Sequence, residues 1–211
     1  MKLDFYEHNL PGKLITFCGL DGCGKTTMIQ RLAETVDSPL LTKQPTDEVR
    51  QSSVFRAFHD LSFAEASKIY DYRAMALMAA ADRLQHVKEV ILPALEKGKT
   101  VISDRYFYSC LTNLRARGFE QDEWVYEITR SLPKPDVAVF LDVPVEVAIE
   151  RVRKREAERK RFIDTAFEER LRKEYLRTAN ACGGVVIDSI GDSDNTYISL
   201  VNHLREKICT S

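Results

Sequence analysis

The sequence has little that would suit a membrane or a secretory pathway. One of its longest apolar runs, VAVFLDV at 137–143, is only seven residues long, whereas a helix needs about 20 apolar residues to cross a bilayer. The first 14 residues have no apolar signal core behind their lysine. We therefore expect a cytoplasmic protein that has no membrane partner.

An excess of charge of one sign is also absent. Lys and Arg number 31 and Asp and Glu number 32, which gives a formal net charge of -1. A chain with this balance has no overall positive field to recruit nucleic acid. We therefore expect no nucleic-acid partner, and we infer that any anionic ligand is bound locally.

The few cysteines form no recognisable pattern. The five of them are an odd number, include no Cys-x-x-Cys pair and have no histidine at metal-ligand spacing. We therefore expect neither disulfides nor a structural zinc site, and we interpret the cysteines as small apolar side chains.

Repeats and low-complexity linkers are missing too, so we interpret 1–211 as one domain, with 1–12 as an N-terminal extension that is a frayed terminus. Beyond it, short apolar runs alternate with helical patterns. This order is typical of a parallel sheet between two layers of helices, and it predicts a three-layer α/β fold. The predicted strands are 13–19, 39–44, 100–105, 136–143 and 184–189.

The apolar character of these runs predicts strands that are buried on both faces. The segments between them predict six or seven helices. The longest helical pattern extends from about Phe63 to Lys97, with a kink expected at Pro93 and an end at Gly98.

Glycine is scarce, with nine in the chain, yet three of the nine lie within 19–24. They belong to GLDGCGKT, which fits the pattern G-x-x-x-x-G-K-[ST], follows an apolar strand and leads into an amphipathic helix. In that context the pattern predicts a phosphate-binding loop whose backbone N–H groups point at phosphate oxygens. Lys25 is expected to reach the β- and γ-phosphates of a nucleoside triphosphate, and the hydroxyl of Thr26 is expected to bind Mg²⁺.

A second informative stretch, VISDRYFYS at 101–109, ends a predicted strand with Asp104 and Arg105. Ligands collect at the carboxyl edge of a parallel sheet, where the Asp104 carboxylate can hold a Mg²⁺-bound water beside Thr26. A surface ion pair of Asp104 and Arg105 is the alternative interpretation. The loop by itself leaves open whether the chain is a switch GTPase, a motor ATPase or a small-molecule kinase.

Five stretches, taken in order, resemble those of thymidylate kinases: GLDGCGKTT, ADRLQHVKEVILPALEKG, VISDRYFYS, PDVAVFLDVPVEVAIERVRKR and FEERLRKEYL. The resemblance covers roughly residues 13–208. It implies a P-loop kinase fold and a homodimeric nucleoside monophosphate kinase that uses ATP and Mg²⁺. The apolar helical pattern at 75–87 is the candidate dimer surface.

The same resemblance implies roles for individual residues. Arg83 and Arg105 match two arginines that grip the acceptor's phosphate, and guanidiniums can do this bidentately. Asp21 matches an aspartate near the acceptor sugar and the metal, and metal binding is assigned to Thr26 and Asp104. The implied acceptor-binding residues are Asp21, Pro45, Ala79, Arg83, Arg105, Ser109 and Cys110. The implied ATP-binding residues are Gly19, Leu20, Asp21, Gly22, Cys23, Gly24, Lys25, Thr26 and Thr27.

The cationic run RVRKREAERKRFID corresponds to the family's flexible lid, at about 151–164. Gly22 stands where one branch of the family has a catalytic arginine, so the resemblance implies that the catalytic cation comes from the lid. The sequence does not choose among the lid arginines, which are Arg151, Arg153, Arg155, Arg159 and Arg161. The predicted catalytic residues are Lys25, Arg105, Arg155, Arg159 and Arg161.

Several base-handling positions depart from the family's pattern. Ala79 stands where members stack a phenylalanine on the thymine ring, and TNL at 112–114 replaces an Ala-Tyr-Gln that helps to read the base. Two interpretations stay open. Either the acceptor carries a different base, or Met78 or Tyr72 fills the space left by Ala79.

The expected function is ATP-dependent phosphorylation of a (deoxy)nucleoside monophosphate, of the thymidylate kinase type, with the acceptor base left open. One alternative is a deoxynucleoside kinase. Gln44 argues against it, because a hydroxyl acceptor requires a base and an amide cannot serve as one. The other alternative is a nucleotide-binding module with little catalysis.

Overall fold

Five parallel strands form a single sheet in the order β2-β3-β1-β4-β5, flanked by helices. This is a computed structural model that describes residues 3–159 and 161–209, with the backbone alone for 206–209. The architecture confirms the predicted α/β fold class. It also confirms all five strands to within one residue at each end: β1 (Lys13–Cys18), β2 (Leu40–Lys43), β3 (Thr100–Asp104), β4 (Val137–Asp142) and β5 (Val185–Asp188).

Burial differs between the central and the edge strands. The central strands β1, β3 and β4 are almost fully enclosed, whereas β2 and β5 alternate between more and less exposed residues. Leu41 on β2 is 48% exposed and Val186 on β5 is 43% exposed. The expectation that every strand is buried on both faces is therefore wrong for the two edge strands, because the helical layers do not cover both faces of the sheet at its edges.

Eleven α-helices occur in the described part of the chain, more than the six or seven predicted. The difference arises mainly from short helices of four to six residues, which leave too little periodic pattern to be recognised. The helices are α1 (Lys25–Ala33), α2 (Asp47–Arg50), α3 (Ser53–Asp60), α4 (Phe63–Ala66), α5 (Tyr72–His86), α6 (Leu92–Glu96), α7 (Phe107–Ala116), α8 (Trp124–Thr129), α9 (Val145–Arg153), α10 (Thr165–Cys182) and α11 (Ser193–Cys209). None of the helices within the described residues is long and apolar enough to cross a membrane.

The long helical pattern predicted for 63–97 is divided. The short α4 is followed by a turn, and α5 begins only at Tyr72, because the Asp71 carboxylate accepts the backbone N–H of Arg73 and caps a new helix. A π-helical turn at Val87–Ile91 then joins α5 to α6. The predicted start at Phe63 is therefore wrong for the main helix.

The predicted kink and end of this segment are both present. The π-helical turn comes just before Pro93, which has no N–H to donate to the carbonyl four residues earlier, so the regular hydrogen-bond pattern cannot continue there. Gly98, with φ of 75°, follows the last helical turn and ends it.

The N-terminal segment is packed against the domain from residue 3 onward. The backbone N–H of Tyr6 donates to the Leu132 carbonyl at 3.1 Å, and Lys134 donates to the Tyr6 carbonyl at 2.8 Å. The Phe5 ring lies 5.2 Å from that of Tyr108, centroid to centroid. The expectation of a frayed terminus is therefore wrong for residues 3–12, because these bonds and the half-buried Phe5 ring fix the segment in place. Residues 1–2 lie outside the described part.

The register of the central strands brings the informative loops together. Phe17 on β1 pairs with Asp104 on β3, so both strands end at the same level of the sheet. The backbone N–H of Arg105 then donates to the Phe17 carbonyl at 2.8 Å. The phosphate-binding loop after β1 and the Asp-Arg pair after β3 therefore meet at one edge, as the sequence predicts.

Candidate active site

The phosphate-binding loop between β1 and α1 requires two of its glycines for steric reasons. At Gly19, with φ of 138°, an added Cβ would lie 2.4 Å from the Leu141 carbonyl oxygen. At Gly22, with φ of 87°, it would lie 2.2 Å from the Ala148 carbonyl oxygen on α9. A side chain at position 22 would have to displace the backbone of α9, so this position of the loop requires glycine.

Lys25, the first residue of α1, is held inside the loop. Its side chain is buried, and Nζ donates to the carbonyl oxygens of Gly19 at 3.1 Å and Leu20 at 2.8 Å. An ammonium among loop carbonyls can exchange these oxygens for phosphate oxygens, which is the chemistry that the sequence predicts for Lys25.

The Asp21 carboxylate in the same loop is the meeting point of two arginines. Nη2 of Arg105 donates to Oδ1 at 2.5 Å, and both terminal nitrogens of Arg161 lie 3.2 Å from Oδ2. Burial alone raises the pKa of Asp21, but the charges of Arg105, Lys25 and Arg161 outweigh it and hold the pKa well below its usual range. Asp21 is therefore ionised, and it joins the phosphate-binding loop to the end of β3 and to the lid.

Arg105 adopts a backbone conformation that side chains rarely have, with φ of 71°. Its Nη1 donates to the Gly19 carbonyl at 3.2 Å and to the Tyr175 hydroxyl at 2.8 Å. The Tyr175 hydroxyl in turn donates to Ser109 Oγ at 3.1 Å. The guanidinium is thus fixed between the loop and α10, and such a conformation is typical of a functional position.

The lid arginines are used in different ways. Arg161 reaches the loop through Asp21. Arg151 donates to the Ser189 and Ile190 carbonyls, and Arg153 donates to two carbonyls of the lid itself. Of the predicted catalytic residues in the lid, the structure therefore brings only Arg161 to the site among the described residues, while Arg155 and Arg159 are exposed and do not line the cavity.

One cavity of about 510 Å³ lies between the loop, α5, α7, the lid and α10. Every residue for which the resemblance implied acceptor binding lines its wall: Asp21, Pro45, Ala79, Arg83, Arg105, Ser109 and Cys110. A volume of this size suits a small ligand such as a mononucleotide. The loop and the cavity share Gly19, Leu20 and Asp21, so a ligand in the cavity touches the loop.

The residues predicted to hold Mg²⁺ fit such an ion. Oδ1 of Asp104 is buried and has no hydrogen-bond partner within the described part of the chain, while Thr26 lies exposed in the first turn of α1. In that same part, no three His, Cys, Asp or Glu side chains form a metal cluster. Mg²⁺ is often held by one carboxylate together with substrate phosphates, and this donor set matches that pattern.

Comparisons with known proteins agree with this geometry. A family model described as thymidylate kinase matches residues 17–194. The chain belongs to the thymidylate kinase family. It is 38% identical to a probable thymidylate kinase of Pyrococcus horikoshii over 200 residues, which are 91% of this chain and 97% of that relative. It is 39% identical to a probable thymidylate kinase of Thermococcus kodakarensis over 87% and 92% of the two chains. It is also 34% identical to a thymidylate kinase of Caldanaerobacter subterraneus, over 79% and 81%.

Arg83 lies deeper in the cavity wall of this thymidylate kinase family member than Arg105 does. Its side chain is buried, and Nη1 donates to the Ala79 carbonyl one turn earlier at 2.7 Å. Its Nε has no hydrogen-bond partner among the described residues. A buried donor without a partner costs stability, and a ligand atom that accepts from Nε would remove that cost.

The space left by Ala79 has an aromatic neighbour. Tyr72, two turns earlier on α5, is buried in the cavity wall and meets the Phe58 ring edge-on, with centroids 5.1 Å apart. Met78 is 40% exposed and does not line the cavity. Of Met78 and Tyr72, the two residues considered to fill this space, only Tyr72 therefore lies on the side of α5 that faces the cavity.

Four further residues in the wall were not found from the sequence. Arg50 donates from Nε to the Pro45 carbonyl at 2.8 Å, and the Arg117 guanidinium lies 3.9 Å from the Phe167 ring centroid. The others are His59 at the end of α3 and Glu168 in the first turn of α10. Asp164 caps α10, so a capping signal followed by Phe-Glu could have indicated the position of Glu168.

Glu168 carries an unusual charge state. Burial raises the pKa of its carboxyl to about 7, and the charge of Asp21 adds to the rise, while Arg161, Arg105 and Arg117 act in the opposite direction. In an unfolded chain a glutamate has a pKa of about 4.3. Between these two values the folded protein binds a proton that the unfolded chain does not, so the ionisation of Glu168 lowers stability as the pH rises.

We expect Glu168→Gln to be more stable than the unsubstituted protein at pH 8, because the amide removes the cost of the buried charge. The difference in melting temperature between the two proteins should shrink as the pH falls toward about 4, where Glu168 is mostly protonated in the folded protein and in the unfolded chain. Thermal unfolding at several pH values, without nucleotide or metal, measures this. Glu96→Gln, at an exposed site on α6, is the control. A difference that does not change with pH would contradict the prediction.

Proposed function

We propose that this protein catalyses ATP-dependent phosphorylation of a deoxynucleoside monophosphate, with dTMP as the acceptor and dTDP and ADP as the products. One observation carries the proposal. The phosphate-binding loop and the cavity share Asp21, and the Asp21 carboxylate is held by an arginine on each side, Arg105 from β3 and Arg161 from the lid. Cations therefore surround the place where two phosphate groups would meet.

The transfer needs positioning more than acid–base chemistry. An oxygen of the acceptor's phosphate attacks the γ-phosphorus of ATP, a new oxygen–phosphorus bond forms, and the bond from that phosphorus to the β-bridging oxygen breaks as ADP leaves. The attacking oxygen is already anionic, so no base is required. The positions supported for ATP are those of the loop: Gly19 to Thr27, with Lys25 at the β- and γ-phosphates.

The environment of Gln44 supports a phosphate acceptor over a hydroxyl acceptor. Gln44 is fully buried, and its amide lies 3.1 Å from Nδ1 of His86, outside the cavity wall. Neither the residue type nor its position provides a base for a nucleoside hydroxyl. The deoxynucleoside kinase alternative therefore has no support at this position.

Thr26 and Asp104 are the residues proposed to hold Mg²⁺. When bound, the ion neutralises charge on the triphosphate. The unpartnered, buried oxygen of Asp104 supports this assignment.

We propose that Arg105, which is hydrogen-bonded to the loop, is the main ligand of the acceptor's phosphate. Arg83 would bind the part of the acceptor that lies deepest in the cavity. The hydrogen bonds of Arg105 to Gly19 and Asp21 support the first assignment, and the unpartnered Nε of Arg83 supports the second. The binding of dTMP and of thymidine, compared by calorimetry in Arg105→Ala and Arg83→Ala, tests this. The assignment is wrong if the difference in affinity between dTMP and thymidine is lost in Arg83→Ala but is kept in Arg105→Ala.

Lys25→Ala should reduce the turnover of dTMP by about 10² to 10³ or more, because a preorganised charge next to the transferred group is lost. The fold should be unchanged, since the hydrogen bonds of the buried ammonium within the described part of the chain go to carbonyls and a thiol of its own loop. A coupled assay of ADP formation measures turnover, with Lys173→Ala, an exposed lysine on α10, as the control. Near-normal activity in Lys25→Ala would refute the proposed role of the loop.

Ala79→Phe should shift acceptor selectivity toward dTMP by one or two powers of ten at most, since one aromatic stack contributes about 1–3 kcal/mol. The measurement is kcat/KM for dTMP against other deoxynucleoside monophosphates. Ala181→Phe, on the exposed end of α10, is the control. Strong dTMP selectivity in the unsubstituted protein would show instead that Tyr72 and its neighbours already form a complete base pocket.

We further propose a cytoplasmic homodimer that uses the outer face of α5. Leu77 and Met78 are 47% and 40% exposed on that face, while Met75 and Ala79 point into the domain. Two adjacent apolar side chains at a helix surface favour an isologous contact. We expect light scattering to give the mass of a dimer, and Leu77→Glu to shift it toward the monomer. A monomer mass at every concentration tested would refute the dimer.

A further inference from the structure

Arg161, the lid arginine that reaches the loop, is held by more than Asp21. Its Nη1 lies 3.0 Å from a carboxylate oxygen of Glu158 within the lid. The same nitrogen lies 3.2 Å from Nε2 of His59, at the C-terminal end of α3. His59 also lines the cavity, so a residue from the acceptor side of the site contacts the lid.

The hydrogen bonds of His59 define which ring nitrogen carries a proton. Nδ1 lies 2.7 Å from Oδ1 of Asp60, and a carboxylate only accepts, so Nδ1 is the donor. Nε2 of the neutral ring then has a free lone pair. A guanidinium only donates, so Arg161 donates to that lone pair. From Asp60 through His59 and Arg161 to Asp21, every donor therefore faces an acceptor.

The ring is also fixed in orientation. His59 stacks on Phe55 one turn earlier, with ring centroids 6.4 Å apart and planes 19° from parallel. The side chain is 40% exposed, so it contributes little to the hydrophobic core. Its position is that of a surface side chain fixed by its neighbours.

Charged groups of both signs surround His59. Asp60 and Arg56 belong to the same helix, Arg161 and Glu158 belong to the lid, and Asp21 and Arg50 line the cavity beyond them. Within this set, the contact of Arg161 with Nε2 joins the lid to the end of α3.

We propose that His59 is a positioning residue that holds Arg161 against Asp21 and so couples α3, on the acceptor side, to the lid. The inference rests on the proposed function. With His59 in place, the guanidinium is oriented before the phosphoryl group moves, and no reorientation is needed during the transfer. His59 itself touches neither phosphate in this arrangement.

Steady-state kinetics with ATP and dTMP at pH 8 tests the proposal. We expect His59→Ala to lower kcat by about tenfold to a hundredfold, the range for losing a hydrogen bond to a charged group, with both KM values within about twofold. His59→Gln should keep most of kcat, because an amide oxygen can accept from Arg161. His203→Ala, an exposed histidine on α11, is the control, and melting temperatures show whether each variant is folded.

A further readout separates positioning from a general effect on structure. Trypsin should cut within 151–164 faster in His59→Ala than in His59→Gln, independently of activity.

Two outcomes would overturn the inference, and they differ in what else they affect. If the unsubstituted protein transfers phosphate and both His59 variants match it in kcat and in lid cleavage, His59 has no positioning role and the proposed function stands. If the unsubstituted protein transfers no phosphate to any monophosphate, the proposed function fails and this inference fails with it.

Discussion

The Asp21 carboxylate is the constraint on which the arrangement of this site depends. It belongs to the phosphate-binding loop, yet it bonds Arg105 from the end of β3 and Arg161 from the lid. Removing the charge would leave two guanidiniums and the Lys25 ammonium close together without an anion between them, which is costly at a partly buried site. Asp21 is therefore a central contact between the lid and the sheet edge, next to the contacts of His59 and Arg151.

A second constraint comes from the packing behind the loop. Gly22 lies so close to the α9 backbone that a Cβ would meet the Ala148 carbonyl oxygen at 2.2 Å. Helix α9 leads directly into the lid, so the helix that excludes a side chain from the loop also carries the lid arginines. The packing of α9 thus excludes a side chain from the loop, and the segment that follows α9 supplies Arg161 to it.

The sequence was most informative where local chemistry decides the structure. The strands, the glycine loop and the edge that unites Lys25 with Arg105 were all predicted, because short apolar runs and a fixed glycine spacing leave few alternatives. The choice of Arg161 among five lid arginines could not be predicted, since it depends on which side chain reaches Asp21 across about 140 residues of sequence. The same holds for His59 and Arg50, which reach the cavity wall from short helices that the sequence did not predict, and for the N-terminal segment, which is ordered by contacts with residues near 132.

The proposed assignment of the catalytic charge to the lid has a consequence for unproductive chemistry. If the lid were displaced, a nucleotide bound at the loop would lack the Arg161 guanidinium. The transition state for attack of water on the γ-phosphate would then not be stabilised by this charge. An arginine built into the loop at position 22 would be present whether or not an acceptor was bound. In this protein the guanidinium that reaches the loop comes from the segment after α9, while the close approach of Gly22 to α9 leaves no room for a side chain in the loop itself.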